Sequence, residues 1–276
     1  MGMNYAADDA PAIRKPLTVL SLGAGVQSTT LALMAAHGEV GPMPDCAIFA
    51  ETGDEKRGTY RYLDWLTPRL PFPTIRVRRG NMSLSESTVA YYQDGSGHAQ
   101  TPPFFFAGGM LAKFCSKEWK TRVVTQEIRR QMGLESGERA KADAAVEVWL
   151  GISRDEADRM KSSEVPWFTN RWPLIEKGMR RGDCVQWMTR HDYPIPPRSA
   201  CVYCPYQSEL EFAEMQKNRS DDDWVRAVAF DAAIREGGNG TFGPLYVSRH
   251  CKPLSDVDFG SQPDLFGNEC EGACGV

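Results

Sequence analysis

The stretch Ser21-Leu-Gly-Ala-Gly-Val-Gln-Ser28 joins two hydroxyls and two glycines to the end of an apolar run, Leu17 to Leu20. The run reads as a buried strand, and a helix starts near Gln27. A strand that turns through glycines into a helix makes an anion site. Its backbone N–H groups point outward, and the helix dipole favours negative charge. Gly23 and Gly25 let the backbone approach a phosphate where a Cβ would block it. The loop lacks the Gly-Lys-Ser/Thr ending of a P-loop and the third glycine of a dinucleotide fingerprint. An ordinary strand-to-helix turn is the plainer alternative.

The second chemical group is Cys201-Val-Tyr-Cys204-Pro205. Both thiolates of such a turn can face one metal ion. Cys184 and Cys115 lie upstream, and four cysteines could complete a tetrahedral zinc site or a [4Fe–4S] cluster. Spacing does not separate the two metals. Cys251, beside His250, is the rival for the fourth place. A redox pair or two buried thiols are the alternatives, and Pro205 together with the lack of a helix start at Cys201 argues against the redox pair.

These groups need a scaffold. Asp45 to Ala50 and Thr74 to Arg78 read as strands, Thr59 to Leu66 as a helix ended by Pro68, and Val146 to Leu150 as a fourth strand. The alternation implies a mostly parallel sheet with helices on both faces. Active residues then belong at the strand C-terminal ends, where Ser21 and Glu51 fall. Residues 80–112 break the rhythm and read as an irregular insertion, with Phe104 to Phe106 as core or as an aromatic lid. Lys117 to Met132 reads as a helix. Ser153 and Glu156 suggest a capping box. Further helices are expected over Arg180–His191, Ser208–Asn218 and Asp221–Arg235. The expected organisation is an N-terminal extension (1–16), a nucleotide-binding domain (17–192) and a cysteine-rich, mainly helical C-terminal part with a polar tail (193–276).

The 276 residues carry a net charge of −4, so nucleic-acid binding would need a local basic patch. No apolar leader and no membrane-length run is evident, and a cytoplasmic protein with no membrane contact is expected. Eight cysteines in that setting point to metal or redox work.

Four motifs in order, Ser21 to Ser28, Phe49-Ala-Glu-Thr-Gly-Asp54, Leu150-Gly-Ile-Ser-Arg-Asp-Glu156 and Arg198-Ser-Ala-Cys-Val-Tyr-Cys-Pro205, carry a resemblance. Together they resemble the PAPS-reductase-like adenine nucleotide alpha-hydrolases, the PP-loop ATP-pyrophosphatases, of the type carried by phages and mobile elements. The resemblance implies a three-layer α/β, Rossmann-like fold and an adenine nucleotide, ATP or PAPS. Ser21, Gly23, Gly25, Val26, Gln27 and Ser28 would cradle phosphate, and Phe49, Glu51, Thr52 and Gly53 would border the adenosine. Asp54 or Glu55 would help hold Mg2+. Lys117, Lys120 and Arg122 would neutralise polyphosphate or a nucleic-acid backbone, against a solvated basic face as the plainer reading. Arg154 and Arg159 resemble arginines that face nucleotide or substrate, with pairing to Asp155 or Asp158 as the rival. Cys115, Cys184, Cys201 and Cys204 would hold the cluster or zinc.

The implied activity is ATP-dependent adenylation followed by sulfur transfer to a nucleic acid or nucleoside, with a sulfur-donor protein as partner and a homodimer as one assembly. One alternative is a PAPS reductase that releases sulfite using Cys270 and a thiol reductant protein. Its tail differs from the simple reductases: Glu269-Cys-Glu-Gly-Ala-Cys274 lacks their histidine and adds a cysteine. The other alternative is a non-catalytic, zinc-stabilised nucleotide-binding module.

Overall fold

The computed structural model describes residues 16–97, 101–135, 137–140, 146–218, 220–237 and 243–259. Its strands are β1 (Leu17–Ser21), β2 (Cys46–Glu51), β3 (Thr74–Arg78), β4 (Phe105–Phe106), β5 (Gly109–Met110), β6 (Val146–Leu150) and β7 (Phe168–Arg171). Five of them form one sheet in the order β3-β2-β1-β6-β7, and every pairing within it is parallel. The helices are α1 (Val26–Ala36), α2 (Arg57–Leu66), α3 (Leu84–Asp94), α4 (Arg122–Gln131), α5 (Pro173–Glu176), α6 (Arg181–Arg190), α7 (Glu209–Lys217) and α8 (Asp223–Ala233).

In β1 and β2 the side chains alternate between two covered faces, which explains why both read as largely apolar runs. Leu20, Ala47, Phe49 and Trp149 pack with Leu31 of α1, Leu63 of α2 and Trp187 and Met188 of α6. Val19, Ile48, Ala50, Val148 and Leu150 pack with Val124 and Ile128 of α4 on the other face. The result is the three-layer α/β architecture expected. β7 was not expected: only its Phe168 and Asn170 are buried, so this edge strand shows no apolar run.

A third core lies beside the sheet. Leu84, Phe104, Trp119, Val202, Tyr203, Phe212, Phe230, Leu245 and Leu254 build it. The segment expected to be irregular therefore contributes ordered structure. Ser83 caps α3 by accepting from the Glu86 amide, and Glu86 returns a bond to the Ser83 amide. That Ser-x-x-Glu box was the overlooked signal. Phe104 is core, while Phe105 and Phe106 pair in a short hairpin with Gly109 and Met110. The expected box at Ser153 does not form: its hydroxyl donates instead to Asp155 Oδ1, 2.6 Å away, and residues 154–159 make a kinked 3-10 turn.

Gly53 follows β2 at φ +83°, and a Cβ there would lie 2.7 Å from Ser83 Cβ. Gly53→Ala is expected to lower the unfolding free energy by about 2 kcal/mol, since both the backbone and the contact resist it. Urea denaturation followed by circular dichroism checks this, and an unchanged midpoint would refute it.

Candidate functional site

β1 is flanked by β2 on one side and β6 on the other, so the chain order reverses across it. At such a switch point the loops leaving adjacent strands diverge and open a crevice. The loop after β1 enters α1 through Gly25, which is extended at φ −94°, ψ 178°. No side chain caps this helix, and no acidic residue occupies its first turn. Its leading N–H groups have no acceptor within the helix and keep their positive partial charge.

The loop is held from inside. Gly23 N donates to Ser28 Oγ at 3.2 Å, and the same hydroxyl donates to Gly25 O at 3.3 Å. Ala24 is buried and sits at φ +56°. Gln27 Nε2 reaches Ser153 Oγ at 3.5 Å and ties the loop to the one after β6. Gly151 makes that approach possible, since a Cβ on it would stand 2.6 Å from both Ser28 N and Ser28 Cα. The start of α6 completes the surroundings, where Arg181 N donates to Asp155 and Arg154 N to Met179 O. Arg154 and Arg180 are exposed and Arg181 half-buried, and these cations suit an anionic ligand.

Of the residues expected to border adenosine, Glu51 and Gly53 are half-buried and Thr52 is buried against the cysteine turn. Phe49 is 2 % exposed and belongs to the core under α1. Val26 is likewise buried. Asp54 does not match the role expected of a magnesium ligand. Its carboxylate accepts from Ser85 N and Ser85 Oγ, both at 2.7 Å, and from Tyr203 OH at 2.6 Å. Burial raises its pKa, outweighing these bonds and the nearby Arg226. The oxygens are already committed to joining α3 and the cysteine turn.

Glu55 is the residue whose weight the sequence understated. It is fully buried and accepts from Lys120 Nζ at 3.1 Å. Its backbone pairs with that of Cys201. Its Oε2 makes no hydrogen bond. Lys120 lies in a π-helical turn, Lys117–Thr121, the kind of widened turn that often re-aims a side chain at a site. A cavity of about 30 Å³ beside this pair is lined by Thr52, Cys115, Ser116, Lys120, Cys201 and Cys204 among others. The other lysine, Lys117, forms only an exposed surface pair with Glu164 at 3.6 Å.

The four-cysteine set does not assemble. Cys115, Cys201 and Cys204 share the small cavity, but Cys184 is buried in the core between α1 and α6, against Thr30. Among the described residues no three of these cysteines bring their sulfurs within 4.8 Å of one another. Cys184 is therefore a packing residue set apart from the other three, and the set of four is not brought together. Cys251 lies at φ +49° beside His250, which bonds Glu209 at 2.9 Å. Cys270 lies outside the described residues. Burial, reinforced by Glu55, pushes the Cys201 thiol well up and outweighs the opposing pull of Lys120.

No protein-family model matches the sequence, and no curated protein matches it. Among solved structures, the phosphate complex of phosphoadenylyl-sulfate (PAPS) reductase from Candida auris aligns with 67 % of this chain and 78 % of its own. The identity is 13 % and the TM-score 0.43. A likeness that distant transfers no residue role, and the α/β class rests on the sheet itself.

The cysteine placements have a direct consequence. Burial pushes the Cys46 thiol to about 11 and the Cys184 thiol to about 12. At pH 8 their thiolate fractions are then on the order of 10⁻³ and 10⁻⁴. Iodoacetamide at pH 8, read by peptide mass mapping, is expected to modify Cys46, Cys184 and Cys201 at least about 100-fold more slowly than in the urea-unfolded chain. Rapid labelling of Cys184 in the native protein would contradict its placement.

Proposed function

We propose that the chain binds an adenine nucleotide with its phosphates on the α1 N-terminus, and that it acts as an ATP-dependent adenylating enzyme of the PAPS-reductase-like kind. The observation that carries the reading is the meeting of the uncapped α1 start with the Gly151 loop at the sheet's switch point. The loop's N–H groups would hold the charge that develops as pyrophosphate leaves the α-phosphate. Arg154 and Arg181 would add to it from the β6 side. Mg2+ would travel with the phosphates, since Asp54 is already committed.

Sulfur transfer to a nucleic acid or nucleoside is the downstream step in this reading and rests on the sequence resemblance. The cluster expected to support it loses Cys184. A sulfite-releasing reduction of PAPS would instead draw on Cys270.

The test uses the full-length protein in equilibrium dialysis with Mg-ATP and with PAPS, each competed by pyrophosphate. Micromolar ATP binding is expected, displaced by pyrophosphate and weakened at least tenfold in Gly151→Ala, whose Cβ would displace Ser28. Arg181→Ala, which leaves the loop packing untouched, is expected to lose about three- to tenfold. Binding of PAPS alone, with sulfite released on adding a thiol reductant, would replace adenylation by reduction. No binding of either nucleotide would sink the reading.

A further inference from the structure

α1 and α6 both begin at the switch point, and both end at the opposite side of the sheet. There the residue that terminates α1 is His37, and the one that terminates α6 is His191. Their rings lie edge to face with centroids 5.0 Å apart. Glu39, two residues past the end of α1, faces the same point. One ring nitrogen from each histidine and one oxygen of Glu39 all lie within 4.8 Å of one another. The phosphate site uses other ends of these helices, so this cluster is separate from it.

The surroundings orient these groups as a ligand set. The Trp187 carbonyl can only accept, so His191 Nδ1, 2.8 Å away, carries the hydrogen. In the neutral ring that leaves the lone pair on Nε2. That atom stands 3.9 Å from Glu39 Oε1, too far for a hydrogen bond. Two electron-rich atoms held face to face at that separation leave room for something positive between them. Around a tetrahedral zinc with bonds of ~2.0–2.1 Å, neighbouring ligand atoms stand about 3.3 Å apart, so a small closure suffices. The Trp187 indole N–H donates to both Glu39 oxygens, at 3.0 and 3.2 Å, and its ring stacks on His191 at 4.0 Å. Tyr193 OH sits 2.8 Å from His37 Nε2 and fixes that ring. Imidazoles steered by a carbonyl or hydroxyl, with a carboxylate steered by an N–H, are the outer contacts that metal sites use.

Electrostatics favour a cation at the same place. Two helix C-termini converge here with their negative dipole ends; α1 has no basic residue in its last turn, and α6 has one, Arg190. Two imidazoles and one carboxylate suit zinc and its neighbours better than calcium or magnesium.

We propose that His37, Glu39 and His191 form a binding site for a zinc-class divalent cation that clips the ends of α1 and α6 together, with water in the remaining position. The alternative is a cluster of rings and a carboxylate held by hydrogen bonds alone.

The experiment is titration of the metal-free full-length protein with Co2+, read by visible absorption, and with Zn2+, read by calorimetry. Binding of one equivalent at micromolar affinity is expected, with tetrahedral d–d bands and no thiolate-to-cobalt charge-transfer band. That second feature separates the site from the cysteines, and Cys201→Ser should leave it unchanged. His191→Gln and His37→Asn are each expected to weaken binding at least tenfold. Glu39→Gln keeps an acceptor for the Trp187 indole while removing the charge, and the same loss is expected with an unaltered urea midpoint in the absence of metal. A thiolate band, affinity indifferent to all three substitutions, or no binding at all would each overturn the proposal.

Discussion

The molecule is held together by what the ten residues after β2 bind. Thr52 accepts from the start of α3 through its carbonyl and touches Cys201 through its hydroxyl. Asp54 joins Ser85 to Tyr203, and Glu55 joins Lys120 to the backbone of Cys201. Lys56 pairs with Glu211, Arg57 with Asp222, and Arg61 with Asp221. Through this one segment the sheet grips α3, the π-helical turn before α4, the cysteine turn, α7 and the start of α8. Arg57 and Asp222 are both exposed, and a pair of that kind contributes little by itself. Asp54 and Glu55 are different, because a buried carboxylate without its partners would be costly by several kcal/mol. Their bonds therefore fix the position of the third core against the sheet more than they add net stability.

A parallel sheet imposes polarity on everything packed against it. The start of α1 follows β1 at the strand C-terminal end, and α6 starts beside the loop after β6. Both helices then offer positive dipole ends where the strands finish and negative ones where the strands begin. The proposed anion site at one side and the proposed cation site at the other draw on the same geometry. Cys184 and Thr30 sit between the two helices, in the packing that keeps them aligned.

How much of this was legible in the sequence depended on how local the signal was. β1, β2, β3 and β6, the glycine turn after β1 and the helices over 209–217 and 223–233 each carry a periodic pattern or a turn residue, and they could be read. β7 could not, because an edge strand with two inward residues has no apolar run. The order of α3 lay in Ser83 and Glu86, a two-residue signature inside a segment otherwise dominated by Pro, Gly and Phe. Gly151 looked like one more turn glycine, yet its contact partner Ser28 is 123 positions away, and nothing in its neighbourhood announces a close approach. The cysteine set failed for the same reason. Spacing shows that four thiols exist, whereas which core each enters is decided by helix packing. His37 and His191 are isolated in sequence and meet only because both terminate helices that run side by side.

Burial also limits which thiol can react. A Cys201 thiolate would stand among protein atoms and beside Glu55, and both raise the cost of its charge. Lys120 and the Thr52 hydroxyl would lower that cost, and the Lys120 ammonium already bonds Glu55. Forming the thiolate would therefore mean sharing one cation between two buried anions. Cys201 is thus a poor resting nucleophile, and the backbone bonds on either side of it, Lys56 N to Ala200 O and Val202 N to Asp54 O, make it a structural member of the seam. The groups placed to meet a charged ligand without breaking such a pair include the leading backbone amides of α1, with Arg154, Arg180 and Arg181 beside them. They gather at the start of α1, which is why the functional reading rests there.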